Sequence, residues 1–119
     1  MNTELTKHNL TTLISDIKAK EELLRDKKLE LETTKYIMQN IESKERLNVE
    51  GKNEKARESM LLEKLNSNPD YSVHRGSMAT LLKEIESCKI EIAYLTNLLS
   101  VEKIMSRYAL IEALNVRGV

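Results

Sequence analysis

The stretch Met78–Leu99, MATLLKEIESCKIEIAYLTNLL, decides the fold. Met78, Leu81, Ile85, Cys88, Ile92, Leu95 and Leu99 follow one another at steps of 3, 4, 3, 4, 3 and 4. That is the apolar seam a helix needs in order to pack lengthwise on another helix. Nothing comparable in the chain points to bond-making chemistry.

Toward the N-terminus a second helical pattern covers about residues 2–47, with Leu10, Ile17, Leu24, Leu31 and Met38 recurring every seven residues. Its partner row is only partly apolar, because Leu13 and Ile41 bracket Lys20, Lys27 and Thr34. The two lysines read as polar positions that set register in a coiled coil, and Leu23 and Ile37 widen the seam on one side. Asp16/Lys20, Glu21/Arg25 and Glu42/Arg46 have the acid-first, four-residue spacing that favours ion pairs within a helix.

Asn48–Asn53 (NVEGKN) is the first break, with Gly51 its most flexible point and Asn53 a helix N-cap. A short helix follows over about residues 54–65, presenting Met60, Leu61 and Leu65 on one side. Asn68-Pro69-Asp70 is a strong helix start, since Pro suits the first helical position and an acid suits the positive end of the helix dipole. The last helix is expected over about residues 69–114, running through Gly76 or else kinked or started near Ser77. Beyond Leu99 the heptad phase is expected to break at Glu102 and resume as Ile104, Tyr108 and Ile111.

Ile90, Leu98, Val101, Met105 and Leu110 lie off the main seam, so the last helix is apolar over more than one face and calls for more than one helical neighbour. The predicted architecture is all-α, a single helical domain over residues 1–119. It is a long helical hairpin, or antiparallel coiled coil, with a short middle helix, assembling into a homo-oligomer.

Composition agrees with long helices. The chain has one Pro, three Gly, no Phe and no Trp among 119 residues, and 32% of its residues are charged. The 19 basic and 19 acidic side chains cancel, which argues against a strong long-range pull on nucleic acid or membrane. Cys88 is the single cysteine, and its seam position asks for a small buried hydrophobe. MNTELTKHNL has no signal-peptide core, and no apolar run is long enough for a bilayer, so a cytoplasmic protein without membrane contact is expected.

His8 and His74 have no second ligand at metal spacing, so no metal and no cofactor is expected. The carboxylates read as solvated helix faces, which leaves no catalytic acid or base to assign and gives a non-enzymatic protein. Gly51, Gly76 and Gly118 are isolated and form no phosphate loop. The best candidate surface is the middle of the chain, where Lys52, Lys55 and Arg57 sit at a loop and helix start that can face phosphates, with Lys64 and Arg75 nearby. Glu50, Glu54, Glu58 and Glu63 are interleaved, so a mixed, solvated surface competes with that reading. Tyr71 offers a ring to stack on a base or to pack on a neighbouring helix.

The segment GKNEKARESMLLEKLNSNPDY (Gly51–Tyr71), with the Leu/Ile-rich helix that follows to Leu114, resembles a group of small helical proteins encoded beside recombination genes in bacteriophages. Lys52-Asn53, Arg57, the Leu61/Leu65 pair and Asn68-Pro69-Asp70-Tyr71 carry the resemblance. Lys55-Ala56-Arg57 is also similar to a short basic motif of phage recombination mediators, small helical proteins that assemble into rings. The resemblance implies an accessory role in phage-type DNA recombination or single-strand annealing, with single-stranded DNA or a recombination protein as partner. It carries over no catalytic residue. A helical chaperone or assembly factor, and a protein inhibitor of a host enzyme, are the alternative classes.

Overall fold

Three α-helices make up the computed structural model: α1 over Thr3–Arg46, α2 over Glu54–Asn66 and α3 over Pro69–Val116. Residues 3–116 are described, with side-chain surroundings for residue 7 and residues 9–115. The expected helix start at Asn2 and the His8 imidazole lie outside that set. No strand occurs among the described residues.

Helix ends follow from local chemistry. At the end of α1 the amides of Leu47, Asn48 and Val49 donate to the carbonyls of Lys44, Glu45 and Arg46, tightening the last turn into three-residue loops. Asn53 is extended (φ −147°, ψ 172°) and its side-chain oxygen accepts from the Ala56 amide at 2.8 Å, capping α2. Asn68 Oδ1 accepts from the Tyr71 amide at 3.1 Å, which starts α3 one residue before Pro69. The Asn68 side chain also donates through Nδ2 to Glu45 Oε1 at 3.2 Å, tying that helix start to the end of α1.

The two loop and helix glycines behave differently from one another. A Cβ at Gly51 would lie 3.1 Å from both the backbone nitrogen and the Cγ of Arg57, so the loop approaches the first turn of α2 closely. A side chain at Gly51 would therefore crowd the start of α2. A Cβ at Gly76 would meet nothing within 4 Å, and α3 runs through Gly76 without a break, with no restart at Ser77.

The helices contribute to two compact units, one formed by the described residues up to Arg25 together with those from Glu86 onward, the other by Asp26–Ile85. In the Asp26–Ile85 unit, α1 and α3 run antiparallel, since Lys27 pairs with Glu84 while Glu45 pairs with Asn68. Leu31, Thr34 and Met38 of α1, Leu61 and Leu65 of α2, and Leu81 and Ile85 of α3 are its buried side chains. Full burial of a leucine contributes about 1.5–3 kcal/mol, so the two leucines of α2 are a substantial share of what holds this unit together. Met60, expected beside them, is exposed. The polar Thr34 is accommodated by donating to the Glu30 carbonyl at 2.9 Å.

The other unit has only α1 and α3 segments and buries far less. Leu10, Leu13, Ile17 and Leu24 of α1 are half-buried, and Leu23 is exposed. On α3 the inward row continues from Cys88 through Ile92, Leu95 and Leu99 to Glu102, Ser106, Ala109 and Ala113, all buried or half-buried. The heptad phase thus does not break at Glu102. The inward row becomes small and polar there, and Ile104, Tyr108 and Ile111, expected to resume the seam, are exposed. Apolar periodicity misleads at this point because the larger side chains occupy the outer face.

Candidate functional site

The seam residues on α3 fall into a graded row. Leu81, Ile85 and Cys88 are buried, while Met78, Ile92, Leu95 and Leu99 are half-buried. Opposite them α1 presents two lysines, and each meets a glutamate of α3 within its own unit. Lys20 Nζ lies 2.6 Å from Glu91 Oε2, and Lys27 Nζ lies 2.8 Å from Glu84 Oε2. The hydrogen bond to Glu91 raises the Lys20 pKa above its ordinary value. Sequence spacing suggested Asp16 as the Lys20 partner. The lysine instead reaches across to the neighbouring helix, because its stem lies along the half-buried seam and its head extends to the edge.

Of the other expected pairs within α1, Glu42 and Arg46 are joined at 3.0 Å. Arg46 also binds Glu58 of α2 at 2.6 Å, a contact no local spacing could reveal. Glu58 first, then Glu42, hold the guanidinium further above its already high ordinary pKa. Glu21 and Arg25 form no ion pair among the described residues.

Lys52, Lys55 and Arg57 all lie exposed on the loop before α2 and on its first turns. None of the three side chains has a hydrogen-bond or ion-pair partner among the described residues, whereas those of the neighbouring cations do. Lys64 Nζ donates to the Asn48 carbonyl at 2.7 Å, and Arg75 donates to Asn66 Oδ1 at 3.1 Å with its guanidinium 5.9 Å from the centre of the Tyr71 ring. Tyr71 is half-buried, with its ring beside the Arg75 guanidinium. Arg57 borders a shallow groove of about 320 Å³ shared with Arg46, Val49, Glu54, Glu58 and Leu61. Glu58 is committed to Arg46, but Glu50, Glu54 and Glu63 remain exposed, so the surface around the three cations is mixed in charge.

No family model, curated protein or solved structure matches the chain. Its own surfaces carry the functional reading. Among the described residues no group of three or more His, Cys, Asp or Glu is arranged to hold a metal ion, and no helix is long and apolar enough to cross a membrane. The surface also carries an apolar feature: on one face of α3 beyond Glu86, Ile90, Tyr94, Val101, Ile104, Tyr108 and Ile111 are all exposed. Single exposed leucines are ordinary, but a contiguous apolar stripe on one helix marks an interaction surface.

Proposed function

We propose that this protein acts by binding and not by catalysis, as a self-associating helical accessory protein. The exposed apolar stripe on the second half of α3 carries this reading, because a unit of only two helix segments leaves it facing water. The resemblance of Gly51–Leu114 to helical proteins of phage recombination neighbourhoods gives the biological setting, assistance of DNA recombination or single-strand annealing. Within that setting Lys52, Lys55 and Arg57 are the residues that contact nucleic acid. They would do so through the phosphate backbone, since side chains on a helix start meet phosphates without reading bases.

Sedimentation of the purified chain tests the first part: an oligomer at micromolar concentration supports it, and a fully helical monomer overturns it. Fluorescence anisotropy with a labelled single strand over a salt series tests the second. Salt-sensitive binding that weakens and loses salt dependence in the Lys52→Ala/Lys55→Ala/Arg57→Ala variant supports backbone contact. Absence of binding even at low salt removes DNA as a partner and leaves a protein-only adaptor.

A further inference from the structure

The outer face of α3 carries a second heptad seam. Tyr94, Asn97, Val101, Ile104, Tyr108 and Ile111 follow one another at steps of 3, 4, 3, 4 and 3, and every one of them is exposed. Ile90, four residues before Tyr94, extends the row. Each member lies two residues after a member of the inward row that starts at Ile92 and Leu95. Two residues are about 200° of helix, so the second row points almost directly away from α1.

We propose that this outer row is a coiled-coil interface on which a second copy of the same chain docks, α3 against α3, parallel and in register. This rests on the self-association reading above and specifies its surface. Three observations select that occupant. The first is Asn97, the one side-chain amide in the row, exposed and with no hydrogen-bond partner for that side chain among the described residues. In register it meets the second copy's Asn97 across the seam, where the two side-chain amides can donate to and accept from one another. Against any wholly apolar partner it would be buried unsatisfied.

The second observation is charge complementarity. Arg107 and Glu112 flank the row five residues apart, the separation at which flanking side chains of two parallel helices meet. Neither has an ion-pair partner among the described residues. An antiparallel pairing centred on the same row would leave Arg107 beside Ser100, with no carboxylate directly opposite it. The third is shape. Ile104, Arg107, Tyr108 and Ile111 line an open cleft of about 220 Å³, and their spacing of i, i+3, i+4 and i+7 is that of a hole awaiting a knob. Its centre lies at the level of residue 108, so the in-register knob is the second copy's Tyr108.

The interface from Tyr94 to Ile111 would be about 25 Å long, and docking would turn the two helix segments of this unit into a four-helix assembly. The test uses the full chain. Sedimentation equilibrium should give a dimer for the wild type and a monomer of unchanged helicity for Ile104→Glu/Tyr108→Glu. Both positions are exposed within a single chain, so the variant should fold, and association should weaken at least about 100-fold because the charges would be buried without partners. Asn97→Cys in a Cys88→Ala background should then form a disulfide-linked dimer under mild oxidation.

A monomeric wild type overturns both this interface and the self-association reading. An oligomer that survives Ile104→Glu/Tyr108→Glu overturns the interface alone. Loss of the dimer in that variant without cross-linking through residue 97 overturns the parallel, in-register pairing.

Discussion

Lys20 of α1 and Glu91 of α3 are joined at 2.6 Å, a pairing that replaces the Asp16 contact available within α1 itself. In the other unit Lys27 and Glu84 make the equivalent contact at 2.8 Å. Each lysine occupies a position where a leucine would be expected from the seven-residue repeat of its neighbours, and each is matched by a glutamate at the edge of α3.

Lys27→Glu and Glu84→Lys should each lower stability, and the double exchange should recover most of the loss. The coupling energy should be a few tenths to about 1 kcal/mol, as befits a pair only partly shielded from water, and urea titration of the four chains gives it directly. The same exchange at Lys20 and Glu91 should show the same direction. Because the folded state raises the Lys20 pKa, the stability this pair adds is complete below the ordinary lysine range and is lost as pH rises through it and beyond. Thermal melts of wild type and Lys20→Met should therefore converge at strongly alkaline pH.

Gly51→Ala and Gly76→Ala should have opposite effects. The first forces a methyl to within 3.1 Å of the Arg57 backbone nitrogen and should lower the melting temperature. The second adds a methyl into open space inside a helix and should stabilise by about 1 kcal/mol. Thermal unfolding followed by circular dichroism distinguishes them by sign.

Asn68→Ala should destabilise by about 1–2 kcal/mol, since it removes both the cap of α3 and the hydrogen bond to Glu45. Asn68→Asp keeps an acceptor for the Tyr71 amide but places a carboxylate against Glu45, so it should recover only part of the loss. Equal stability of Asn68→Ala and wild type in urea would show that neither bond contributes.

Glu102 occupies an inward position of α3, and its Oε2 is buried without a hydrogen-bond partner among the described residues. Glu102→Leu replaces that oxygen with apolar volume in an otherwise small and polar stretch of the seam. It should raise stability by about 1–3 kcal/mol, measured by urea unfolding. No gain would mean that water or a bound partner satisfies the carboxylate.

Cys88 is buried in the seam, so its thiol should react slowly with a thiol reagent under native conditions and rapidly in denaturant. Cys88→Val should cost less than about 1.5 kcal/mol, since the site asks for volume. Fast native labelling would contradict the burial.

Local chemistry was legible in the sequence wherever it acts over a few residues. The caps at Asn53 and Asn68, Pro69 as the opening of α3, the inward row from Met78 to Leu99 and the alternating row of α1 all follow from side chains acting on their own helix or from the period of the helix. What the tertiary structure decided depends on which face meets which neighbour. Periodicity shows that Ile104, Tyr108 and Ile111 form a stripe, but not that Glu102, Ser106, Ala109 and Ala113 hold the inward side while the stripe stays outside. Neither Glu84 nor Glu91 stands out among the other acids until α3 is laid beside α1, and Arg46 meets Glu58 only where α2 comes beside the end of α1. Helix formation is fixed by near neighbours in the chain, whereas the choice of buried face is a competition among all the apolar surface present.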